Sequence, residues 1–235
     1  MTVIGSVRIG ALTLGERPAI AVPLTNVDVE VLDTLRGADI IELRIDMFDD
    51  PFNQQSIRDT FTKARQRWPQ TPIIATCRSS NEGGFKLLTE NDRFELINLV
   101  TPMTDAVDIE IHSPIAPEVI KLVKDAGKTL ITSYHNFKRT PSLEELDAII
   151  ARCKGAGTHI TKIAVMACSQ SDMETMTRFT LNHNKEDIVT IVMGEFGMAS
   201  RVFLPRIGSL FTFAGIETVS APGQMSIQEV SKFLR

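Results

Sequence analysis

The sequence predicts a (β/α)8 barrel of the TIM type within the α/β class, and three observations support this prediction. Short, β-branched, apolar segments alternate along the chain with segments whose apolar residues recur about every 3.6 positions. Divided among eight such pairs, the 235 residues give units of roughly 29 residues, a typical length for one strand and one helix. The strand candidates are hydrophobic almost throughout, as parallel strands covered on both faces are.

The predicted strands are spread evenly along the chain. They cover residues 19–24, 38–44, 72–77, 106–111, 129–134, 158–165, 188–193 and 215–220. Between them, the apolar spacing predicts helices over residues 56–68, 91–101, 114–126, 142–155 and 171–182. An open doubly wound sheet is the alternative, but no Gly-x-Gly-x-x-Gly motif follows the first strand, where a dinucleotide-binding sheet would carry one.

The segment ahead of the first strand departs from the repeating pattern. Residues 7–15 form two short alternating stretches around Gly10, which is typical of a β-hairpin. We expect this N-terminal hairpin to close the bottom of the barrel. No Pro- or Gly-rich linker and no low-complexity tract interrupts the chain, so residues 1–235 are predicted to form a single barrel domain.

Composition and charge narrow the classes of function. The chain has 25 Lys and Arg against 29 Asp and Glu, a formal net charge of -4, which argues against a nucleic-acid or membrane-surface partner. No apolar run is long enough to span a bilayer and no signal peptide is evident, so we expect a cytoplasmic protein. Because Cys77, Cys153 and Cys168 lack metal-ligand spacing, neither a disulfide framework nor a zinc site is predicted.

Lys162 is the most informative single residue of the chain. It lies within the apolar run of residues 160–166, a predicted buried strand in which an ammonium group has little water around it. Burial favours the neutral amine, a nucleophile that forms a Schiff base with a ketone or an aldehyde. A lysine near a strand end can also extend its charged end into solvent and have no chemical role.

Further polar residues collect at the carboxyl ends of the predicted strands, where the active sites of TIM barrels lie. Taken singly, each has an ordinary structural explanation. Glu42 and Arg44 could form an ion pair, His135 could be a hydrogen-bonded histidine, and Arg78 or Arg201 could be a surface charge. Together they would converge on one end of the barrel, which is costly in desolvation unless a ligand binds there. In chain order these candidates are Glu42, Arg44, Arg78, Glu82, His135, Lys162 and Arg201.

This set of side chains suits one type of reaction. Lys162 would attack a ketone, and the protonated imine would acidify the neighbouring carbon so that His135 could remove a proton from it. The same imidazole could return the proton to a leaving hydroxyl group, with Glu82 orienting it. Arg201 is the candidate clamp for a substrate carboxylate. The residues therefore predict dehydration of a hydroxy-ketone acid.

Several short motifs of the chain belong together. They are Glu42-Leu43-Arg44-Ile45-Asp46, residues 78–84, Tyr134-His135, Lys162-Ile163-Ala164, Met193-Gly194 with Arg201, and residues 220–224. Through these motifs, and over essentially its whole length, the chain resembles the type I 3-dehydroquinate dehydratase family. The resemblance implies a carbon–oxygen lyase of the hydro-lyase class that converts 3-dehydroquinate into 3-dehydroshikimate by syn dehydration, in the shikimate pathway of aromatic amino acid biosynthesis. It also implies a homodimer that needs neither a metal nor an organic cofactor.

The resemblance also implies a role for individual residues. Lys162 would form the Schiff base with 3-dehydroquinate, His135 would act as general acid and base, and Glu82 would pair with it. One departure concerns the first strand, where some members have a serine that contacts substrate and this chain has Val22-Pro23-Leu24. No role is therefore assigned to that strand. The substrate-binding residues implied are Glu42, Arg44, Arg78, Arg201 and Gln224, with Met193, Phe213, Ser220 and Ala221 lining or closing the pocket.

Two other functions remain compatible with parts of this pattern. An aldolase-type barrel acting on a sugar phosphate would also use Lys162 for a Schiff base. Arg201 and Gln224 suit a carboxylate better than a phosphate, however, and His135 suits elimination. A non-catalytic barrel that binds a small anion is the second alternative, but it would not need a buried lysine, a histidine and its carboxylate partner together.

Overall fold

The computed structural model describes residues 7–32, 35–216 and 223–235, and these residues form strands and helices in alternation. The strands of the described residues are β1 (Arg8–Ile9), β2 (Leu12–Thr13), β3 (Ala19–Leu24), β4 (Ile40–Arg44), β5 (Ile73–Thr76), β6 (Ala106–Glu110), β7 (Thr129–Asn136), β8 (Ile160–Met166), β9 (Ile188–Met193) and β10 (Phe211–Phe213). The helices are α1 (Asn26–Val31), α2 (Gln54–Arg67), α3 (Glu90–Val100), α4 (Ala116–Asp125), α5 (Leu143–Gly155), α6 (Gln170–Asn182), α7 (Ser200–Ile207) and α8 (Ile227–Leu234).

Strands β3 to β10 form one parallel sheet that curves into a barrel. Hydrogen-bonded neighbours run in chain order from β3 to β9, and β10 pairs with β3. At the remaining junction, the backbone N–H of Leu210 donates to the carbonyl of Ile188 over 2.9 Å. The N–H of Thr190 donates to Ser209 Oγ over 3.0 Å, so β9 also contacts the segment that leads into β10. This nearly closed barrel confirms the predicted (β/α)8 fold.

Local sequence signals set the starts of several helices. Capping boxes pair Thr89 with Asp92 at α3, Ser142 with Glu145 at α5, and Ser226 with Glu229 at α8. In each box, a hydroxyl accepts from a backbone N–H of the first turn and a carboxylate accepts from the cap residue, which satisfies donors that the helix leaves open. None of the helices in the described ranges is long and apolar enough to cross a bilayer.

Alternation along β8 explains why a lysine can occupy an apolar strand. Ile163 and Val165 point outward and pack with residues of the surrounding helices. Ile160 and Ala164 point toward the barrel axis, and Lys162 lies between them on the same face. The lysine is therefore directed into the barrel interior, where only 5% of its surface is exposed.

The predicted position of the eighth strand is wrong. The segment that pairs with β3 is β10, Phe211–Phe213, in register with Ala19 to Ala21 at the start of β3. Within the predicted segment 215–220, Gly215 forms only an isolated bridge with Ser226, and residues 217–220 lie outside the described residues. Pairing with β3 defines the eighth barrel strand, and local β propensity alone does not locate that pairing.

The N-terminal hairpin closes the bottom of the barrel, as predicted. Strands β1 and β2 pair antiparallel, and Thr129 Oγ1 at the start of β7 donates to the carbonyl of Arg8 over 2.7 Å. Ile9 is fully buried and packs in one cluster with residues at the strand starts, including Ala19 and Ile40. The hairpin therefore places an apolar side chain beneath the barrel core.

We expect Ile9→Ala to lower the free energy of unfolding by about 2–5 kcal/mol, because it leaves a cavity beneath the barrel. Leu12→Ala, in the same hairpin at a partly exposed position, is the control and should have a smaller effect. Unfolding in urea followed by circular dichroism measures both. Equal losses for the two variants would contradict this account of how the hairpin closes the barrel.

Candidate active site

A cavity opens at the carboxyl ends of the barrel strands, and the described residues among the predicted site residues all line it. Gly83, Phe137, Ala164 and Ile191 complete the wall. Ser220 and Ala221 lie outside the described residues. The predicted residues in the cavity wall are Glu42, Arg44, Arg78, Glu82, His135, Lys162, Met193, Arg201, Phe213 and Gln224.

Lys162 reaches into this cavity between two carboxylates and an aromatic ring. Its Nζ lies 2.9 Å from Asp108 Oδ2 and 3.4 Å from Glu42 Oε1. It also lies 4.3 Å from the centroid of the Phe213 ring, within cation–π distance. The next residue on the same face of β8 is Ala164, and its small side chain leaves space beside the amine. The nucleophile candidate is thus buried, charge-balanced and open to a ligand.

Asp108 is the most important residue that the sequence analysis missed. Its Oδ2 lies 2.8 Å from Arg78 Nη2, and its Oδ1 accepts from Ser133 Oγ over 2.6 Å. Burial alone would raise the pKa of this carboxyl, but Arg78 and Lys162 outweigh burial and hold its pKa well below its ordinary range. Asp108 therefore stays ionised and balances the charges of two buried cations.

A second layer of charges lies behind Asp108. Glu110 Oε1 lies 2.8 Å from Arg78 Nη1 and accepts from the backbone N–H of Ser79 over 3.0 Å. Its other oxygen pairs with Arg93, an α3 residue that is only 1% exposed. Arg93 Nε also donates to the carbonyl of Cys77 over 2.9 Å. Cations and anions thus alternate from Lys162 outward, which offsets the cost of burying each of them.

A detectable sequence signal pointed to these missed carboxylates. The apolar strand β6, Ala106–Glu110, carries acidic residues at alternate positions. In a strand, alternate residues face the same side, so Asp108 and Glu110 share the side on which Arg78 lies. Two carboxylates on one face of a buried strand indicate cations nearby, but not which cations.

His135 lies at the end of β7 with Glu82 as its partner. The Nδ1 of His135 lies 3.1 Å from Glu82 Oε2, and its backbone N–H donates to the same oxygen over 2.7 Å. Burial, with Arg78 and Lys162, lowers the pKa of His135 well below its ordinary value. The imidazole is therefore neutral at neutral pH. Burial raises the pKa of Glu82 to about 7, against the opposing charge of Arg78.

The strand register fixes the position of this histidine relative to the lysine. In the β7–β8 pair, Ser133 is opposite Lys162 and His135 is opposite Ala164. His135 is thus two residues, or roughly 6.6 Å along the strand, closer to the open end of the barrel than the backbone of Lys162. With His135 nearer the open end and Lys162 deeper in the barrel, the imidazole and the amine can face adjacent carbon atoms of one bound molecule.

The remaining predicted residues surround this pair. Arg44 donates from Nε and Nη2 to the two oxygens of Asp46, over 2.9 and 2.7 Å. Glu42 Oε1 also accepts from Thr76 Oγ1 over 2.9 Å. Arg201 on α7 is 2% exposed, and burial lowers the pKa of its guanidinium to about 10. The cavity is therefore rich in oriented donors, as a pocket for a polar acid would be.

Comparisons with known proteins show which family this chain resembles. A family model described as type I 3-dehydroquinase matches residues 20–235. The 3-dehydroquinate dehydratase of Thermodesulfovibrio yellowstonii is 40% identical over 215 residues, which are 91% of this chain and 92% of the relative.

Solved structures give the same result. The type I 3-dehydroquinate dehydratase of Clostridium difficile superimposes with a TM-score of 0.88 at 30% identity, covering 97% of this chain and 96% of that one. The 3-dehydroquinate dehydratase of Geobacillus kaustophilus gives a TM-score of 0.90 at 27% identity, covering 98% and 95%. The family match over most of the sequence and the 40% identical relative show that this chain belongs to the type I 3-dehydroquinase family and is a carbon–oxygen lyase.

Proposed function

We propose that this protein dehydrates 3-dehydroquinate to 3-dehydroshikimate through a Schiff base on Lys162. The proposal rests mainly on two groups that share one cavity. One is the buried amine of Lys162, whose charge Asp108 balances, and the other is the neutral imidazole of His135, two residues closer to the open end of the barrel. The names of the relatives supply the substrate. The Clostridium difficile relative has been solved with covalently modified comenic acid, which supports covalent chemistry with a small organic acid in this family.

The first step joins the amine to the ketone. The Lys162 ammonium first gives up one proton, and the resulting amine attacks the carbonyl carbon. That proton and one of the two amine protons then leave with the carbonyl oxygen as water, which gives a protonated imine. The new cation forms where the ammonium of the free enzyme lies, 2.9 Å from Asp108 and 3.4 Å from Glu42. The same carboxylates therefore stabilise the intermediate without rearrangement of the site.

The second step removes water from the substrate. His135 takes a proton from the carbon next to the imine carbon, and the electrons of that C–H bond form an enamine. The imidazolium then gives a proton to the hydroxyl group on the following carbon. This group leaves as water while the enamine electrons restore the imine. One imidazole carries out both proton transfers from the same face of the substrate ring, so the elimination is syn.

Hydrolysis completes the cycle and balances it. A water molecule attacks the imine, releases 3-dehydroshikimate and restores Lys162, so the water released on imine formation is used again. The net change is the loss of one water molecule from the substrate. Glu82 assists by holding His135 Nδ1, which directs the other ring nitrogen toward the substrate.

Substrate recognition is proposed to follow the charges of the cavity. Arg201 and Gln224 hold the carboxylate, while Glu42, Arg44 and Arg78 contact hydroxyl groups. Arg44 and Arg78 are already oriented by Asp46 and Asp108. Apolar contacts at the pocket wall would come from Met193 and Phe213. Ser220 and Ala221, for which the family resemblance implies a role at the pocket, lie outside the described residues.

The wider setting is also a proposal. We infer a cytoplasmic homodimer that acts in the shikimate pathway of aromatic amino acid biosynthesis, with residues 1–235 as one catalytic domain and no metal or organic cofactor. The support is the match to 3-dehydroquinate dehydratases over nearly the full length of both chains.

Borohydride reduction in the presence of 3-dehydroquinate tests the Schiff base. We expect one reduced adduct per chain on Lys162 by mass spectrometry, and none in Lys162→Ala, whose turnover should fall at least about 1,000-fold. Lys128→Met is the control, because Lys128 is partly buried at the other end of the barrel, where its Nζ donates to the Thr104 carbonyl. A normal adduct in Lys162→Ala would refute the proposal.

His135→Ala should separate the two steps of the reaction. Because the amine is intact, the borohydride adduct should still form, while turnover falls by about 100- to 10,000-fold through loss of the general acid and base. His183→Ala is the control, since His183 lies outside the cavity, partly buried between Asp147 and Glu186. Turnover of His135→Ala at the wild-type rate would contradict the role of this imidazole.

The pH dependence of kcat/KM should report Glu82 rather than His135. Glu82 has a pKa of about 7 and is ionised above it, where its charge stabilises the imidazolium that forms during proton removal. Activity should therefore rise with pH through about 7. In Glu82→Gln, kcat/KM should be lower but independent of pH from about 6 to 8, because the lowered pKa keeps His135 neutral throughout. A rise near pH 6.5 that persists in this variant would show that His135 itself titrates there.

A further inference from the structure

We infer that Asp46 is a positioning residue, which fixes both Arg44 and the loop that carries Glu82 in the geometry that the reaction needs. The inference rests on the function proposed above and extends it to a residue that does not line the cavity. Asp46 follows β4 after one intervening residue and is fully buried. It therefore acts through the groups that its carboxylate binds.

Asp46 joins the end of β4 to both ends of one loop through a single carboxylate. Its Oδ1 accepts from Arg44 Nε over 2.9 Å and from the backbone N–H of Arg78 over 3.1 Å. Its Oδ2 accepts from Arg44 Nη2 over 2.7 Å and from the backbone N–H of Phe85 over 3.0 Å. A single side chain thus orients a guanidinium in the cavity wall and holds both ends of the loop formed by residues 78–85.

That loop is compact, so a shift at its ends reaches its centre. The backbone N–H groups of Glu82 and Gly84 both donate to the carbonyl of Ser79, over 2.9 and 2.8 Å. Gly84 packs so closely on the chain that a Cβ there would lie 2.1 Å from the carbonyl oxygen of Arg78. Glu82, held within this loop, extends to the backbone and ring nitrogens of His135. Asp46 therefore fixes the position of Glu82, the partner of His135, by holding the ends of the loop.

The arrangement requires a carboxylate and not merely a polar side chain. Four donors point at the two oxygens of Asp46. An asparagine would place an NH2 group against two of these donors, so two hydrogen bonds would be lost. It would also remove the negative charge that balances the buried guanidinium of Arg44. The isosteric change Asp46→Asn therefore tests position and charge with little change in volume.

The first measurement compares Asp46→Asn with Asp39→Asn. Asp39 immediately precedes β4, at the end of the strand far from Asp46. It pairs there with Arg17 and Arg235 and accepts a hydrogen bond from the backbone N–H of Ile20. We expect kcat/KM of Asp46→Asn to fall on the order of 100-fold, with kcat lower and KM higher, because the reacting groups are misplaced. Asp39→Asn should unfold at a lower urea concentration but keep the wild-type kcat/KM.

The second measurement is a double-variant cycle with Glu82→Gln, which separates a positioning role from a general loss of stability. If Asp46 acts on catalysis through Glu82, the double variant should have a kcat within about twofold of the lower single variant. The inference is overturned if the two effects on kcat multiply. It is also overturned if Asp46→Asn keeps kcat/KM within about twofold of Asp39→Asn.

Asp46→Glu carries the same test if Asp46→Asn does not fold. It keeps the charge but moves the oxygens by the length of one methylene group, so kcat/KM should again fall, and wild-type kcat/KM would overturn the inference. Wild-type protein that fails to dehydrate 3-dehydroquinate would instead refute the proposed function. An active wild type with unimpaired Asp46 variants would refute only the role of Asp46.

Discussion

Charge neutralisation inside the barrel is the constraint on which the rest of the site depends. Lys162, Arg78 and Arg93 are all at most 5% exposed, and a buried cation without a partner costs several kcal/mol. Asp108 and Glu110 lie between these cations, at ion-pair distance from their neighbours on both sides. The alternating series lets an amine occupy a buried position and gives it partners whose charge suits an iminium as well as an ammonium.

The barrel supplies the geometry that this series needs. Because parallel strands present their carboxyl ends on one side, residues far apart in sequence meet there, such as Glu42, Asp108 and Lys162. Alternation directs each of them inward, and the hairpin at the opposite end packs the bottom of the core with Ile9. The hairpin that packs the bottom of the core and the residues proposed for the chemistry therefore lie at opposite ends of the same eight strands.

Much of this architecture could be predicted from sequence, and the predictions that failed did so for physical reasons. Apolar strand patterns located most of the barrel, but β10 contains only Phe211–Phe213, and its identity depends on pairing with β3 rather than on local propensity. Residues near strand ends were recognisable as site candidates because barrel topology brings them together. Asp46, Asp108 and Glu110 were missed as parts of the site because their importance comes from which donors surround them in space. The alternation in β6 indicates cations near Asp108 and Glu110, but no sequence spacing identifies those cations.

The central claim is that Lys162 forms an imine with the substrate ketone. Imine formation and hydrolysis exchange the ketone oxygen with solvent, so His135→Ala incubated with 3-dehydroquinate in heavy-oxygen water should label the unreacted substrate well above the uncatalysed rate of ketone hydration. The same variant carrying Lys162→Ala should label it only at that background rate. Equal labelling by the two proteins would contradict the claim, because the exchange would then not pass through the amine of Lys162.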